Sequence, residues 1–299
     1  MAELSVQVAG ITMHNPILVG SGCYSPDYER LYSPNILGAY IPKTLRAYPW
    51  PGNPPPRITE TPSGVLSSIG IPSKGWEYFL QEDAPWLKKL QIPVILSVVG
   101  RTDEEYVDIV KRSSELGFVA GLELNFSCPN IKAGGLQFGA NPDYAYDTML
   151  KCREATQLPI IPKLPPHPQI AQIAQAVELA GANAIAMINS PKAMMIDIEK
   201  RKPFLGNKMG ALSGPAIRPI AVALIWEAYE AIKIPIIGMG GVSEVRDVIE
   251  FLLAGARAVA LGVVNFHDPL AAPKIISGLR EYLDKNGIVD VNSLVGAAH

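Results

Sequence analysis

The sequence predicts an α/β fold, a closed (β/α)8 TIM barrel with insertions after strands 2 and 6, formed by a single domain over residues 1–299. Longer amphipathic stretches separate short aliphatic runs, and the turn after the first run, GSGCYS, lacks the GxGxxG pattern of an open doubly wound sheet. Alternating strands and helices therefore favour a closed barrel. Eight such runs, typical of strands buried on both faces, lie at 16–20, 39–44, 94–99, 121–127, 160–164, 184–189, 234–238 and 258–263.

The segments between these runs carry the start and stop signals of helices. Thr102 and Glu105 stand at capping-box spacing, ahead of apolar residues that repeat on one side of a helix. Asn141 precedes a proline, the pattern of an N-cap followed by proline in the first helical position. Gly181 and Gly255 mark the ends of two further predicted helices.

Two connections are too long to be plain turns. They run over 45–74, which is rich in proline, and over 190–214. Long connections in a compact domain are usually functional. Both follow strand ends, so we expect them on the face of the barrel that carries active sites.

Composition excludes several classes of function. Lys and Arg total 26 against 28 Asp and Glu, a net charge of −2 that gives no electrostatic basis for binding nucleic acid or an anionic membrane. No apolar run reaches the length of a membrane span, and the N-terminus shows no export signal. Three cysteines form no CxxC pair, and the four histidines show no metal-ligand spacing. We therefore expect a soluble, cytoplasmic protein without a metal site.

Polar side chains stand where the predicted strands end. Lys43 follows the second strand, Asn125 ends the fourth, Lys163 lies within the fifth, and Asn189 and Ser190 end the sixth. A lysine inside an apolar strand is costly unless it meets an anion or an electron-rich acceptor. A structural ion pair is the alternative for Lys163, and a solvated loop position is the alternative for Lys43.

Cys128 is the candidate nucleophile or base. It lies in the motif NFSCPN, directly after a buried strand, from which a thiolate would project towards a cleft. The alternative is a small buried hydrophobic residue, the usual role of a free cysteine. Cys23 and Cys152 are predicted to serve packing alone.

Glycines after the last two strands predict a phosphate site. Gly240 and Gly241 follow the seventh strand and Gly262 the eighth, where bare backbone N–H groups at helix starts cradle phosphates in barrels. The pair Ser213-Gly214 can add a further N–H group. Plain glycine turns are the alternative. A barrel with such a cradle, two strand-end lysines and no metal ligands predicts a phosphorylated cofactor such as FMN.

These motifs resemble a known family over nearly the whole chain. The stretches NPILVGSG, NFSCPN, IDIEKRKP with LSGPAI, and IPIIGMGG are similar to the class 1 dihydroorotate dehydrogenases, FMN-containing barrels of pyrimidine synthesis. The stretch NIKAGG, followed by FG, resembles the 1B branch. Members of that branch work with a second subunit that carries FAD and a 2Fe–2S cluster and passes electrons to NAD.

The resemblance implies a two-part oxidation of dihydroorotate. Cys128 would take a proton from C5 while hydride leaves C6 for N5 of the flavin, and Lys43 and Lys163 would neutralise the charge that develops. It also implies a homodimeric core. The implied FMN-binding residues are Gly20, Ser21, Gly22, Lys43, Asn125, Lys163, Ile188, Ser213, Gly214, Gly240, Gly241, Gly262 and Val263. The implied substrate-binding residues are Lys43, Ser67, Ile69, Gly70, Ile71, Asn125, Asn130, Asn189 and Ser190.

Three residues depart from the family pattern. Ser67 and Ser73 stand where asparagines are usual, and Val263 replaces a threonine. Because a hydroxyl cannot reproduce the paired donor and acceptor of a carboxamide, Ser67 leaves a second reading open. That reading is an FMN oxidoreductase acting on another cyclic amide or a related compound. A third is a flavin-binding subunit for electron transfer or assembly, without catalysis of its own.

Overall fold

The computed structural model describes residues 2–127 and 138–299, and within them eight parallel strands close a barrel, as the sequence predicts. Each strand pairs with the next, and the last pairs with the first through Val259 and Ile17. In chain order the strands are β1 (Ile17–Val19), β2 (Ala39–Tyr40), β3 (Val94–Val98), β4 (Val119–Asn125), β5 (Ile160–Leu164), β6 (Ile185–Met187), β7 (Ile236–Met239) and β8 (Ala256–Leu261).

Helices follow the strands. The longer ones, after β3 to β8, are Asp103–Ser114, Pro142–Glu154, Ile170–Leu179, Arg218–Ala231, Val245–Leu253 and Ala271–Lys285. Shorter segments are the α-helices Trp76–Tyr78, Ala84–Leu87 and Val264–His267, the π-helical turn Phe79–Asp83, and the 3-10 turns Pro26–Arg30, Pro34–Ile36, Phe138–Ala140, Pro215–Ile217 and Val291–Leu294. Across residues 2–127 and 138–299, none of the helices has the length and apolar character needed to cross a bilayer.

The predicted helix ends are largely confirmed. The Thr102 hydroxyl accepts a hydrogen bond from the Glu105 N–H at 3.3 Å, and the side-chain oxygen of Asn141, Oδ1, accepts one from the Asp143 N–H at 2.8 Å. Only half of the expected capping box forms, because the Glu105 carboxylate accepts from the N–H of Arg101 instead. Gly181 has a φ of +93°, which lies in the left-handed region that ends helices.

The two long insertions pair with each other. Strands Ile58–Thr61 and Gly64–Ser67 of the first join Gly210–Ser213 and Lys192–Ala193 of the second in one antiparallel sheet, with Leu66 opposite Leu212. Two smaller antiparallel pairs join Pro49–Trp50 with Ser73–Lys74, and Ile196–Asp197 with Lys202–Pro203. The sequence predicts both insertions and their place beside the strand ends, but not this shared sheet.

A short hairpin covers the opposite end of the barrel. Its strands are Val6–Val8 and Ile11–Met13. The Ile11 side chain packs so closely on Gly121, near the start of β4, that a Cβ atom there would lie 2.9 Å from Ile11 Cδ1. The hairpin therefore closes the amino-terminal end and leaves the carboxyl end open for a site.

Candidate active site

A cavity of about 700 Å³ lies between the carboxyl ends of the strands and the sheet formed by the insertions. Its size falls within the range of small-molecule and cofactor sites. Most residues predicted to bind a cofactor, and two predicted to bind substrate, line it: Gly20, Ser21, Lys163, Ile188, Asn189, Ser190, Ser213, Gly214, Gly240, Gly241, Gly262 and Val263. The structure thus brings together residues from β1, β5, β6, β7, β8 and the second insertion.

The predicted glycine cradle forms one wall of this cavity. Gly240 and Gly241 have φ of +125° and +81°, values that favour glycine. A Cβ atom on Gly241 would lie 2.7 Å from Arg218 N and 2.8 Å from Gly214 O, so the backbones meet where no side chain fits. At Gly262 a Cβ atom would meet nothing within 4 Å and would project into open space. Bare backbone of this kind, beside the start of the helix after β7, fits a phosphate group.

A buried carboxylate orders the loop after β7. Asp247, 1% exposed, accepts hydrogen bonds from the N–H and hydroxyl of Ser243 at 2.8 and 2.9 Å and from the Glu244 N–H at 3.0 Å. Its other oxygen pairs with Arg218. Asp247 is not among the residues predicted from the sequence. The available signal was an acid three residues after Glu244, which is the spacing of a capping box at a helix start.

Lys163 lines the cavity, whereas Lys43 is not among its lining residues. Lys163 lines it from β5 and pairs in register with Asn125 of β4. No ion pair joins Lys163 to a carboxylate within residues 2–127 and 138–299, so the structural ion-pair alternative finds no support there. The Lys43 side chain runs beside Gly22, where a Cβ atom would lie 2.8 Å from Lys43 Cδ.

The surroundings of Lys43 disfavour its charged form. Partial removal from bulk water lowers the pKa of Lys43, and the cations of Lys163 and Arg46 lower it further, while Cys23 opposes the shift. Lys43 nevertheless keeps exposed surface. The side chain is therefore prepared to meet an anionic or electron-rich ligand, which would stabilise its charge.

The cysteines differ from expectation at one position. Cys152 is fully buried on the helix Pro142–Glu154, as predicted, and burial raises the pKa of its thiol to about 12. Cys23 packs on the core but also lines the cavity, so packing alone does not describe it. Burial raises the pKa of the Cys23 thiol, against the effect of Lys163 and Lys43. Cys128 and Asn130 lie outside the described residues.

A polar network joins the ends of β4 and β6. The side-chain oxygen of Asn125, Oδ1, accepts hydrogen bonds from the Asn189 carboxamide nitrogen and from the Ser127 N–H, both at 3.3 Å. The side-chain oxygen of Asn189, Oδ1, accepts a hydrogen bond from the Ser190 N–H at 2.8 Å, and the Ser190 and Ser213 hydroxyls lie 2.6 Å apart. These side chains present hydrogen-bonding groups to a polar ligand in one fixed arrangement.

The remaining predicted substrate residues lie outside the cavity lining. Ser67 ends a strand of the insertion sheet and is half-buried. Gly70 and Ile71 follow it with φ of +80° and +49°. The buried Arg46 guanidinium donates to the Ile71 carbonyl at 3.3 Å and so anchors this loop, which also contains Ile69, next to Lys43. Gly22, Lys43 and Asn125 are also absent from the lining. Asn125 contacts the lining residue Asn189, and Gly22 stands between Ser21 and Cys23, which both line the cavity.

Comparisons with known proteins match one family over nearly the whole chain. The model of the family "Dihydroorotate dehydrogenase" matches residues 3–283. The chain is 46% identical over 302 residues to the "Dihydroorotate dehydrogenase B (NAD(+)), catalytic subunit" of Desulforudis audaxviator, covering 99% of this chain and 98% of the relative. It is 47% identical over 302 residues to the protein of the same description from Desulforamulus reducens, covering 99% of each. A crystal structure of DHODH from Eimeria tenella in complex with ferulenol superposes with a TM-score of 0.81 at 21% identity, covering 99% of this chain and 89% of that one.

Proposed function

The chain belongs to the dihydroorotate dehydrogenase family, and from that premise we propose that it oxidises dihydroorotate to orotate in pyrimidine biosynthesis, as the catalytic subunit of a class 1B enzyme. One structural observation carries the proposal. A single cavity at the carboxyl ends of the strands unites a glycine cradle, Lys163, and the network around Asn125 and Asn189.

FMN is the cofactor that fits this cavity. Gly214, Gly240, Gly241 and Gly262 leave backbone bare where a phosphate needs N–H donors, and Lys163 supplies a cation at the end of β5. Bound FMN would supply the hydride acceptor that no protein side chain provides. The loss of a threonine hydroxyl at Val263 leaves the cradle functional, since its donors are mainly backbone groups.

The reaction breaks two C–H bonds and forms one C=C bond. A proton leaves C5, a hydride leaves C6, and the electron pair of the C5–H bond becomes the new double bond. We assign the proton to the Cys128 thiolate. Lys43 and Lys163 would stabilise negative charge that arrives with the hydride, an electrostatic contribution that preorganised cations make without rearrangement.

The asparagine network would hold the substrate. Asn125 and Asn189 contact each other, and their carboxamides keep further donor and acceptor capacity for a ligand. Dihydroorotate presents ring amides and a carboxylate, which need paired donors and acceptors. We therefore assign Asn125, Asn130, Asn189 and Ser190 to substrate binding, with the loop over 67–71 closing over the ring.

We also propose that the active assembly contains a second subunit with FAD and a 2Fe–2S cluster, on a homodimeric core of this chain. The relatives quoted above are named catalytic subunits of an NAD(+) enzyme. This chain has three cysteines in all, whereas a 2Fe–2S cluster is usually held by four thiolates. The cluster and the route to NAD would then belong to the partner.

Anaerobic mixing of the purified, FMN-loaded chain with dihydroorotate tests the proposed function. We expect rapid loss of the visible absorbance of oxidised flavin and formation of orotate in equal amount. Flavin that remains oxidised would contradict the assignment of substrate and would favour a different cyclic amide, with Ser67 as the residue that changed specificity. A chain that binds no FMN would contradict the assignment of cofactor as well.

A further inference from the structure

A carboxylate lies inside the barrel below the proposed flavin site, with no role in the chemistry described above. Glu123, on β4, is 1% exposed. Barrel interiors are normally filled by branched aliphatic side chains, and an acid there costs free energy unless hydrogen bonds compensate. One oxygen, Oε2, has no hydrogen-bond partner among the described residues, which makes a purely stabilising role a poor explanation.

The other oxygen of Glu123 begins a chain of hydroxyl groups. Ser97, its register neighbour on β3, donates to Glu123 Oε1 at 2.8 Å. The Ser97 and Thr44 hydroxyls lie 3.0 Å apart, and the Thr44 and Ser21 hydroxyls lie 2.6 Å apart. Ser21 lines the cavity. The chain thus connects the barrel interior with the wall of the cofactor site.

The acceptor at the inner end sets the direction of every bond in this chain. Each hydroxyl has one proton to donate and lone pairs that accept. Because Ser97 gives its proton to Glu123, it can only accept from Thr44. Thr44 has then used its proton and can only accept from Ser21. The Ser21 oxygen also accepts from the Thr44 N–H at 3.1 Å, which leaves it an acceptor, and no donor, for the cavity.

We propose that Glu123 is a positioning residue that directs the Ser97–Thr44–Ser21 hydroxyl chain, so that Ser21 presents an acceptor oxygen to an N–H group of the ring bound in the cavity. The inference rests on the proposed function, since the ring in question is that of FMN. Without an acceptor at position 123, the hydrogen bonds between the three hydroxyls could reverse their direction. Ser21 could then present its proton to the ligand in place of a lone pair.

Three substitutions test the Ser97–Thr44–Ser21 hydroxyl chain in different ways. Glu123→Met keeps an unbranched side chain of similar length and removes the acceptor. Thr44→Val keeps the shape and interrupts the chain between Ser97 and Ser21. Glu123→Gln retains a carbonyl oxygen that can still accept from Ser97, so it serves as the conservative rescue. Ser113→Ala is the matched control, because Ser113 is a fully buried serine on the helix Asp103–Ser114, away from the chain.

The measurement is the dissociation constant for FMN of the full-length apoprotein, read from quenching of flavin fluorescence. We expect Glu123→Met and Thr44→Val each to weaken FMN binding about fivefold, the effect of one lost hydrogen bond. Glu123→Gln and Ser113→Ala should stay within about twofold of the parent. Thr44→Val alone carries the test if Glu123→Met fails to fold.

A double-mutant cycle separates positioning from general structural damage. In a Ser21→Ala background neither Glu123→Met nor Thr44→Val should weaken FMN binding further, since both act through the Ser21 oxygen. Equal losses of FMN affinity in the Ser21 and Ser21→Ala backgrounds would overturn the inference. Parental FMN affinity in both Glu123→Met and Thr44→Val would overturn it as well. If the parent apoprotein binds no FMN, the proposed function is wrong. That outcome differs from one in which the parent binds FMN but the substitutions act independently of Ser21, which contradicts the inference alone.

Discussion

The three cysteines of the chain have different environments, and these give them different chemistry. Cys152 is fully buried with a pKa of about 12, so it holds a neutral thiol at any ordinary pH. The Cys23 thiol faces the cavity, but burial raises its pKa too, which disfavours the reactive thiolate. Cys128, which follows the end of β4, is therefore the cysteine that we assign as base.

Replacing Cys128 by serine should slow flavin reduction by dihydroorotate about 10²- to 10⁴-fold, the usual contribution of a general base. Stopped-flow absorbance under anaerobic conditions measures the rate. Cys23→Ser is the matched control, since Cys23 lines the cavity, and it should change the rate less than about threefold, well below the contribution of a base. Unchanged flavin reduction in the Cys128 variant would remove this residue as the base.

Lys43 should lose its proton at a lower pH than an ordinary lysine. Removal from bulk water, with help from Lys163 and Arg46, lowers the pKa of Lys43 below 10.5. The Lys43 side chain is therefore fully protonated at low pH and becomes neutral as the pH rises through this lowered pKa. Lys151 makes an internal control, because its hydrogen bond to Asp103 raises the pKa of that lysine.

Competitive acetylation of the apoprotein across a pH series, with peptide mass spectrometry, measures both lysines at once, since only the neutral amine reacts. We expect the midpoint for Lys43 to lie below that for Lys151. The reverse order would show that the site does not disfavour the Lys43 cation. FMN should raise the Lys43 midpoint, because an anionic ligand favours the charged form.

At the scale of elements, the helix after β7 depends on one carboxylate at its start. Asp247 ties the loop over 240–244 to the helix Arg218–Ala231 through Ser243, Glu244 and Arg218. Asp247→Asn should lower the free energy of unfolding by about 1.5–3 kcal/mol, because hydrogen bonds to a buried charge are lost or weakened. Urea denaturation measures this change.

Asp108→Asn is the matched control for that carboxylate. Asp108 also pairs with an arginine, Arg112 at 2.9 Å, but on an exposed helix face. The substitution should change the unfolding free energy by less than about 0.5 kcal/mol. A similar loss of unfolding free energy in Asp247→Asn and Asp108→Asn would contradict the role of Asp247 in ordering the glycine cradle.

The sheet between the insertions depends on close approach of two glycines. Gly64 has a φ of +152°, and a Cβ atom there would lie 2.0 Å from Ser213 O, beside Gly214. Gly64→Ala should separate these strands and, because Gly64 and Gly214 line the cavity, weaken FMN binding about tenfold, or ~1.4 kcal/mol. Fluorescence titration with FMN measures the effect.

Gly10→Ala controls for backbone strain without collision. Gly10 has a φ of +78°, but a Cβ atom there would meet nothing within 4 Å. It lies in the turn of the hairpin at the opposite end of the barrel. Its substitution should lower stability and leave FMN affinity unchanged. A Gly64 variant with parental FMN affinity would show that this sheet does not shape the site.

At the scale of the whole molecule, the barrel could be predicted because its signal is local. Each buried strand is an aliphatic run, and Lys43, Asn125 and Lys163 can be assigned to the site by their places at strand ends. The pairing of Leu66 with Leu212 has no local signal, since it joins strands that are far apart in the chain. The same holds for contacts that depend on three-dimensional packing, such as Glu123 with Ser97.

The whole chain should oxidise dihydroorotate without reducing NAD. Its three cysteines are one fewer than the four that usually hold a 2Fe–2S cluster, and within residues 2–127 and 138–299 no group of three His, Cys, Asp or Glu side chains could hold a metal. The turn after β1 also lacks the dinucleotide fingerprint. Electrons from dihydroorotate should therefore remain on the reduced FMN until an external acceptor oxidises it.

Two parallel assays of the purified, FMN-loaded chain check this expectation. Reduction of dichlorophenolindophenol by dihydroorotate should proceed over many turnovers, because a small dye can reach the open carboxyl end of the barrel. NADH formation at 340 nm should be absent with this chain alone and should appear when a subunit with FAD and a 2Fe–2S cluster is added. Sustained NADH formation by the chain alone would mean that it holds its own route from flavin to NAD, and the two-subunit proposal would be wrong.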